Sequence, residues 1–292
     1  MKTSSGRLGS KATYTPMNLG KITSDDLVLF LELSDSFLLN ADEARAKLHE
    51  KSGDLFAPDC TKPCWCHLYE LPLQQHVMQC FSMFGAQDIF RRLANSENQI
   101  RDAQSLNDQA AAEIDAWEPT DEEKEKLRRS LAVIYGQRSS LTNTFRCLMT
   151  HGVYLNDLIA VVRQGGEGAE KALLSAVKID PTVVGCPSVI AYIGQRTLLE
   201  DRKFLRKLGK AMNGKLTASE QRHFDKVRLV LQTLHETGAK RLSGPDLYRL
   251  FVEELELVVG DELSDSDVGN VENNLRQRAY QFFKKKAVSQ VG

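Results

Sequence analysis

Apolar residues return every three or four positions along most of this chain, a spacing that predicts helices. Leu27, Phe30, Leu31, Phe37 and Leu38 keep it behind Ser24-Asp25-Asp26, which reads as a cap followed by an acidic first turn. A second short helix is expected over 41–51, stopping at Gly53. Residues 54–70 hold Pro58 and Pro63 and read as an irregular loop. Pro72 then suits a first helical turn, with Leu73, Val77, Cys80, Phe81 and Phe84 on one face behind it.

The longest pattern lies between Ala86 and His151. Ile89, Leu93, Ile100, Ala103, Leu106, Ala110, Ile114 and Trp117 recur at threes, fours and sevens. Thr120-Asp121-Glu122-Glu123 has the form of a capping box, in which the threonine oxygen takes one orphan amide while Glu123 reaches back to another. Leu127, Leu131, Ile134, Arg138, Leu141, Phe145 and Leu148 then step alternately by four and three. Two long helices joined so closely are expected to run antiparallel as a coiled-coil-like hairpin, the second arm about 45 Å long. Arg138 is the charge on this seam, its stem packing while its head reaches water or an acid.

Beyond His151-Gly152 a short helix over 154–164 ends at Gly165-Gly166, and helices follow near 169–178, 187–198, 200–213, 218–237, 245–259 and 268–287. Gly214 and Gly238 sit like C-caps, Thr217-Ala218-Ser219-Glu220 forms a second capping box, and Ser243-Gly244-Pro245-Asp246 is a third entry signal. Val183–Val189 is the one β-branched stretch that resists a helical reading. The expected fold is all-α. A flexible basic tail (1–16) precedes an N-terminal helical domain with a cysteine-rich loop and the long hairpin (17–166), and a compact C-terminal bundle with a basic last helix follows (167–292).

Composition narrows the class. Of 292 residues, 42% are hydrophobic and 26% charged, a balance that excludes disordered and collagen-like chains. No run approaches the ~18 apolar residues that span a bilayer, and no apolar core follows the basic start as in a secretory leader. Six cysteines, unevenly spread, do not make a disulfide framework, which points to a reducing cytoplasm. Phosphate-loop, dinucleotide, zinc-protease and nucleophile-elbow motifs are absent from the sequence.

Four cysteines and two histidines crowd into 60–80: Cys60, Cys64, Cys66, His67, His76 and Cys80. Zinc takes about four nitrogen or sulfur ligands in a tetrahedron. Cys60-x3-Cys64 offers two thiolates from a loop, and His76-x3-Cys80 offers two ligands from one helix face, with Cys66 and His67 to spare. One structural zinc is one expectation for this cluster. Packed free cysteines are the other, since Cys80 also lies in its helix's apolar stripe. Cys147 and Cys186 read as ordinary packing.

Arg146-Cys147-Leu148-Met149-Thr150-His151 resembles, over six residues, the R-x4-H motif of HEPN-type helical ribonucleases. That resemblance implies an arginine and a histidine converging on a phosphodiester, usually across a dimer. On an unbroken helix a separation of five places the two side chains ~140° apart, so Gly152 would have to release His151.

Lys+Arg 38 against Asp+Glu 39 leaves a net charge of −1, yet the charge is laid down in blocks. Residues 97–125 hold ten acids and two bases, and 236–272 ten acids and three bases. By contrast 196–228 hold ten bases and four acids, and the last twenty residues carry Arg276, Arg278, Lys284, Lys285 and Lys286 without an acid. Cations grouped on helices displace the counterions condensed on nucleic acid. Arg202, Lys203, Arg206, Lys207 and Lys210, with the five C-terminal cations, are therefore the candidate contacts to DNA or RNA. A turn-helix pair around 187–213 is compatible with this, although no turn signature marks it. The leading expectation is a non-enzymatic cytoplasmic binding protein. Its hairpin would meet a protein partner or a second copy, and no membrane is involved. The alternatives are a helical ribonuclease using Arg146 and His151, and a protein–protein adaptor.

Overall fold

The computed structural model describes residues 15–38, 65–83, 87–214, 226–239, 241–258 and 265–289. The structure is 79% helical and its described residues contain no strand, so the fold is all-α. Asn18 and Thr23 form an isolated antiparallel bridge. The Val183–Val189 stretch becomes a 3-10 turn, Pro181–Gly185, which leads directly into a helix. Contacts divide the chain into a larger unit, 29–230, and a smaller one built from 1–28 and 231–292.

The first helix, α1, spans Ser24–Leu38. Its reciprocal cap lies one residue before the expected Ser24. The Thr23 N–H donates to Asp26 Oδ2 at 2.9 Å and the Asp26 N–H returns to Thr23 Oγ1 at 3.3 Å. Ser24 is instead buried and accepts the Met17 N–H at 3.0 Å.

In the larger unit a 3-10 turn, Cys66–Glu70, precedes α2 (Leu73–Met83), α3 (Gln87–Asn95), α4 (Gln99–Ala116) and α5 (Asp121–His151). The expected first arm of the hairpin is thus two helices. At the break, Ser96 Oγ accepts the Asn98 N–H at 2.9 Å and donates to Asp102 Oδ2 at 2.6 Å. A short hydroxyl side chain offers the backbone an alternative to helical bonding, and here it takes it. α5 begins at the expected capping box of Thr120 and Glu123 and ends at Gly152, whose φ of 77° is left-handed backbone that glycine adopts freely.

Then come α6 (Leu155–Gln164), α7 (Ala169–Ile179), α8 (Pro187–Leu198) and α9 (Arg202–Asn213). Their apolar faces make the core: Leu155 and Ile159 from α6, Leu173 and Val177 from α7, Val189 from α8, Phe204 and Leu208 from α9, with Tyr69 from the 3-10 turn and Trp65 just before it. Trp65 crosses α5 at Gly136 so closely that an added Cβ there would lie 2.5 Å from the indole.

α10 spans Lys226–Glu236. In the smaller unit, α11 (Gly244–Tyr248) starts at the expected Ser243–Asp246 cap. The single helix expected over 245–259 widens at Arg249–Glu254 into a π turn. There Arg249 Nε meets Glu254 Oε1 at 2.6 Å, and the pair reaches the N-terminal segment through Thr15 O and the Met17 N–H. α12 (Asp265–Ser289) packs on α11 and buries Leu275, Ala279 and Phe282. Gly238 has the left-handed φ of a C-cap, 68°, whereas Gly214 closes α9 in extended backbone. The helix expected over 41–51, the capping box at Thr217 and the tail 1–14 lie outside the described residues.

Candidate nucleic-acid interface

α9 is divided sharply by sequence. Phe204, Leu208 and Ala211 recur at four and three and are buried, while Arg202, Lys203, Arg206, Lys207 and Lys210 are all exposed. Twelve residues carrying five cations would repel one another as an isolated helix; the buried apolar stripe is what holds them together. Asp201 caps the helix by accepting the Phe204 N–H at 3.0 Å. That bond first, and Arg196 next, hold the Asp201 carboxyl below its usual range.

The neighbouring helix extends the positive surface. A cleft of about 770 Å³ between α7 and α9 is lined by Lys171, Lys178, Lys207 and Lys210, against Glu167 and Glu170. Lys207 Nζ lies 2.6 Å from Glu170 Oε1, so part of that charge is internally paired. The surplus stays on α9.

Three described residues connect α8 to α9, and Glu200 among them has a φ of 54°. A clamp fixes this corner. Arg196 Nη2 donates to the Tyr192 hydroxyl at 2.8 Å and Nη1 to Asp201 Oδ2 at 3.1 Å, while the guanidinium lies 5.2 Å from the Tyr192 ring centre. Tyr192 meets Phe204 edge to face at 5.7 Å. The corner therefore turns on a non-glycine residue in left-handed backbone. Leu198 and Leu199 stand exposed at the corner, 87% and 69%.

In the smaller unit, Arg276, Arg278 and Lys284 are exposed on α12. Arg276 and Lys284 border a second cavity of about 550 Å³ with Leu231, Leu234 and Phe283. Lys285 and Lys286 fall within α12, but their side chains lie outside the described residues.

Of the cysteine cluster, Cys60 and Cys64 lie outside the described residues, and His67 is exposed. His76 and Cys80 do share a buried helix face, but both ring nitrogens of His76 are engaged by protein groups. Asn156 Nδ2 donates to the carbonyls of Leu68 (3.1 Å) and Leu71 (2.8 Å), which identifies it as the amide nitrogen. The same nitrogen, sharing its two protons, lies 3.2 Å from His76 Nδ1, and the ring proton is fixed on Nε2 because the facing Ser140 hydroxyl spends its own proton on the Gln137 carbonyl. Nε2–H in turn faces Ser140 Oγ at 2.8 Å, and Ser140 donates to the Gln137 carbonyl at 2.7 Å. Serine, histidine and asparagine are thus aligned as in a hydrolase, with the protons running the wrong way. The histidine donates to the serine and has no lone pair with which to activate it. Burial pushes the His76 pKa down to about 4. Among the described residues no group of three or more His, Cys, Asp or Glu side chains is arranged to hold a metal ion.

The buried Asp180 carries no local signal in the sequence. It accepts from the Tyr69 hydroxyl at 2.5 Å, from Asn143 Nδ2 at 3.1 Å, and from the Thr182 N–H and hydroxyl at 2.9 and 2.7 Å. Burial, then the Asp180 charge, hold the Tyr69 phenol well above its ordinary value. Cys66 donates to the Thr182 carbonyl at 2.9 Å, and the hydrogen bond from Cys186 draws its thiol below the ordinary value. Burial raises Cys80 to about 11 and lifts Cys147 further; the hydrogen bond to Cys66, then burial, raises Cys186. These last three thiols stay protonated and unreactive near neutrality.

α5 continues through His151, so Arg146 and His151 ride one unbroken helix and point ~140° apart. Both are half-buried, and Arg146 donates to Asn143 at 3.4 Å. Compared with protein-family models, with curated proteins and with solved structures, the chain finds no match.

Proposed function

We propose that this protein is a non-enzymatic nucleic-acid-binding protein whose contact surface is the outer face of α9, flanked by the lysines of α7. One observation carries the reading: five cations in nine residues share an exposed helix face whose opposite side is anchored by Phe204, Leu208 and Ala211. A fixed array of this kind binds phosphates mainly by releasing condensed counterions. The exposed Arg276, Arg278 and Lys284 of α12 supply a second basic patch. We read α4 and α5 as the arms of an antiparallel hairpin that serves a protein partner or a second copy.

Fluorescence anisotropy of a labelled mixed-sequence oligonucleotide tests the reading. About five phosphate contacts predict roughly 10²–10³-fold weaker binding between about 50 and 200 mM salt. Lys203→Glu combined with Lys210→Glu should abolish binding while leaving the thermal midpoint in place. Binding that ignores salt, or that survives the charge reversal unchanged, would end the proposal.

A further inference from the structure

The structure assigns duplex DNA as the nucleic acid this surface takes, with α9 seated in the major groove as the second helix of a helix-turn-helix. The inference rests on the reading of α9 as the phosphate-binding face and names the class of partner. Its ground is the corner: two twelve-residue helices meet across three residues, one of them in left-handed backbone. The Tyr192–Arg196–Asp201–Phe204 clamp holds the second helix at a set angle to the first. A rigid rod of about 18 Å, apolar inside and cationic outside, suits a B-form major groove ~12 Å wide. The deep, narrow major groove of A-form RNA does not admit one.

Single strands demand a different surface. Proteins that hold them stack bases on exposed aromatic rings. Tyr192 and Phe204 are both buried in the corner, and the exposed large hydrophobic side chains of α8, α9 and the turn between them are Ile190, Leu198, Leu199 and Met212, none of them aromatic.

Within α9 the cations divide by position. Lys207 and Lys210 lie in the cleft with Lys171 and Lys178, placed to touch the phosphate chain. Arg202 and Arg206 stand a turn apart at the start of the helix, where Arg206 Nε reaches back to the Arg202 carbonyl at 3.4 Å. N-terminal residues of such a helix reach base edges, and a guanidinium pairs with O6 and N7 of guanine. Arg202 and Arg206 are the specificity-determining pair.

The test is selection from a random duplex DNA pool, followed by anisotropy with the selected duplex, the same sequence as duplex RNA, and its single strand. Duplex DNA should bind at least about tenfold more tightly than either of the others. Arg206→Ala should relax the selected base preference. Lys210→Ala should weaken all duplexes alike and reduce the salt slope by about one. Both residues are exposed, and an unchanged thermal midpoint verifies the fold. Duplex RNA or single strands bound as well as duplex DNA would overturn this inference and leave phosphate binding standing. An unchanged base preference in Arg206→Ala would overturn the reading of base edges. No binding to any of the three would sink both proposals, as would retention on phosphatidylglycerol vesicles alone, lost in Leu198→Ser with Leu199→Ser.

Discussion

Two polar assemblies in the larger unit use the same kinds of atom to opposite ends. Around Asn156 and Asp180 the groups are buried and each hydrogen bond has its partner inside the protein. Along α9 the groups are exposed and, apart from Lys207, are held chiefly by the helix beneath them. Burial holds His76 and Tyr69 in their uncharged forms, the pKa of the one pushed down and that of the other pushed up. Exposure leaves the second charged and available. What separates architecture from contact surface here is where the polar atoms find their partners.

That contrast breaks most sharply at Asn156. Asn156→Leu strands the carbonyls of Leu68 and Leu71, the Thr144 hydroxyl and His76 Nδ1, and should cost roughly 3–5 kcal/mol. Urea unfolding measures it, and a loss below about 1 kcal/mol would mean the assembly is dispensable.

Acid probes the same region next. An unfolded chain protonates His76 near pH 6.5 and the native chain only near pH 4. Stability contributed by the neutral ring is therefore full above pH 6.5 and declines by roughly 3 kcal/mol as pH falls to about 4. A His76→Gln variant should lack that part of the pH dependence when unfolding is followed at pH 7 and pH 4.5 (about the two ends of the window).

Gly136→Ala forces the Trp65 indole to shift and should cost about 1–3 kcal/mol by the same assay. Smallest are the stability effects on the open face. Lys203→Ala and Lys210→Ala should change unfolding by no more than about 0.5 kcal/mol, while nucleic-acid affinity falls. A large destabilisation from either would show that these cations belong to the architecture after all.

Self-contained local signals are legible in the sequence. The cap at Thr120, the end of the pattern at His151-Gly152 and the helix over 200–213 each depend on neighbours within one or two turns. The break at Ser96 leaves no mark in the apolar spacing, which runs on across it; the Ser96 hydroxyl accepts the Asn98 N–H where the helix is interrupted. Reading His76 with Cys80 as a ligand pair used a correct helical register, but spacing says nothing about what faces a ring nitrogen. Its partners Ser140 and Asn156 lie 64 and 80 residues away. Asp180 was passed over for the same reason, since its partner Tyr69 is 111 positions earlier. Of the proposed interface, the cations are legible in the sequence and the corner before α9 is not, because Glu200 gives no hint of a positive φ.

That corner makes charge and aim separable. A glutamate tolerates left-handed backbone at a cost of about 1 kcal/mol, whereas a residue branched at Cβ resists it more strongly. Glu200→Val would leave every lysine and arginine of α9 in the chain while loosening its bearing on α8. On the proposed reading of α9, such a molecule should still cling to polyanions in general and lose its preference among them, which would make one backbone angle the control for selectivity.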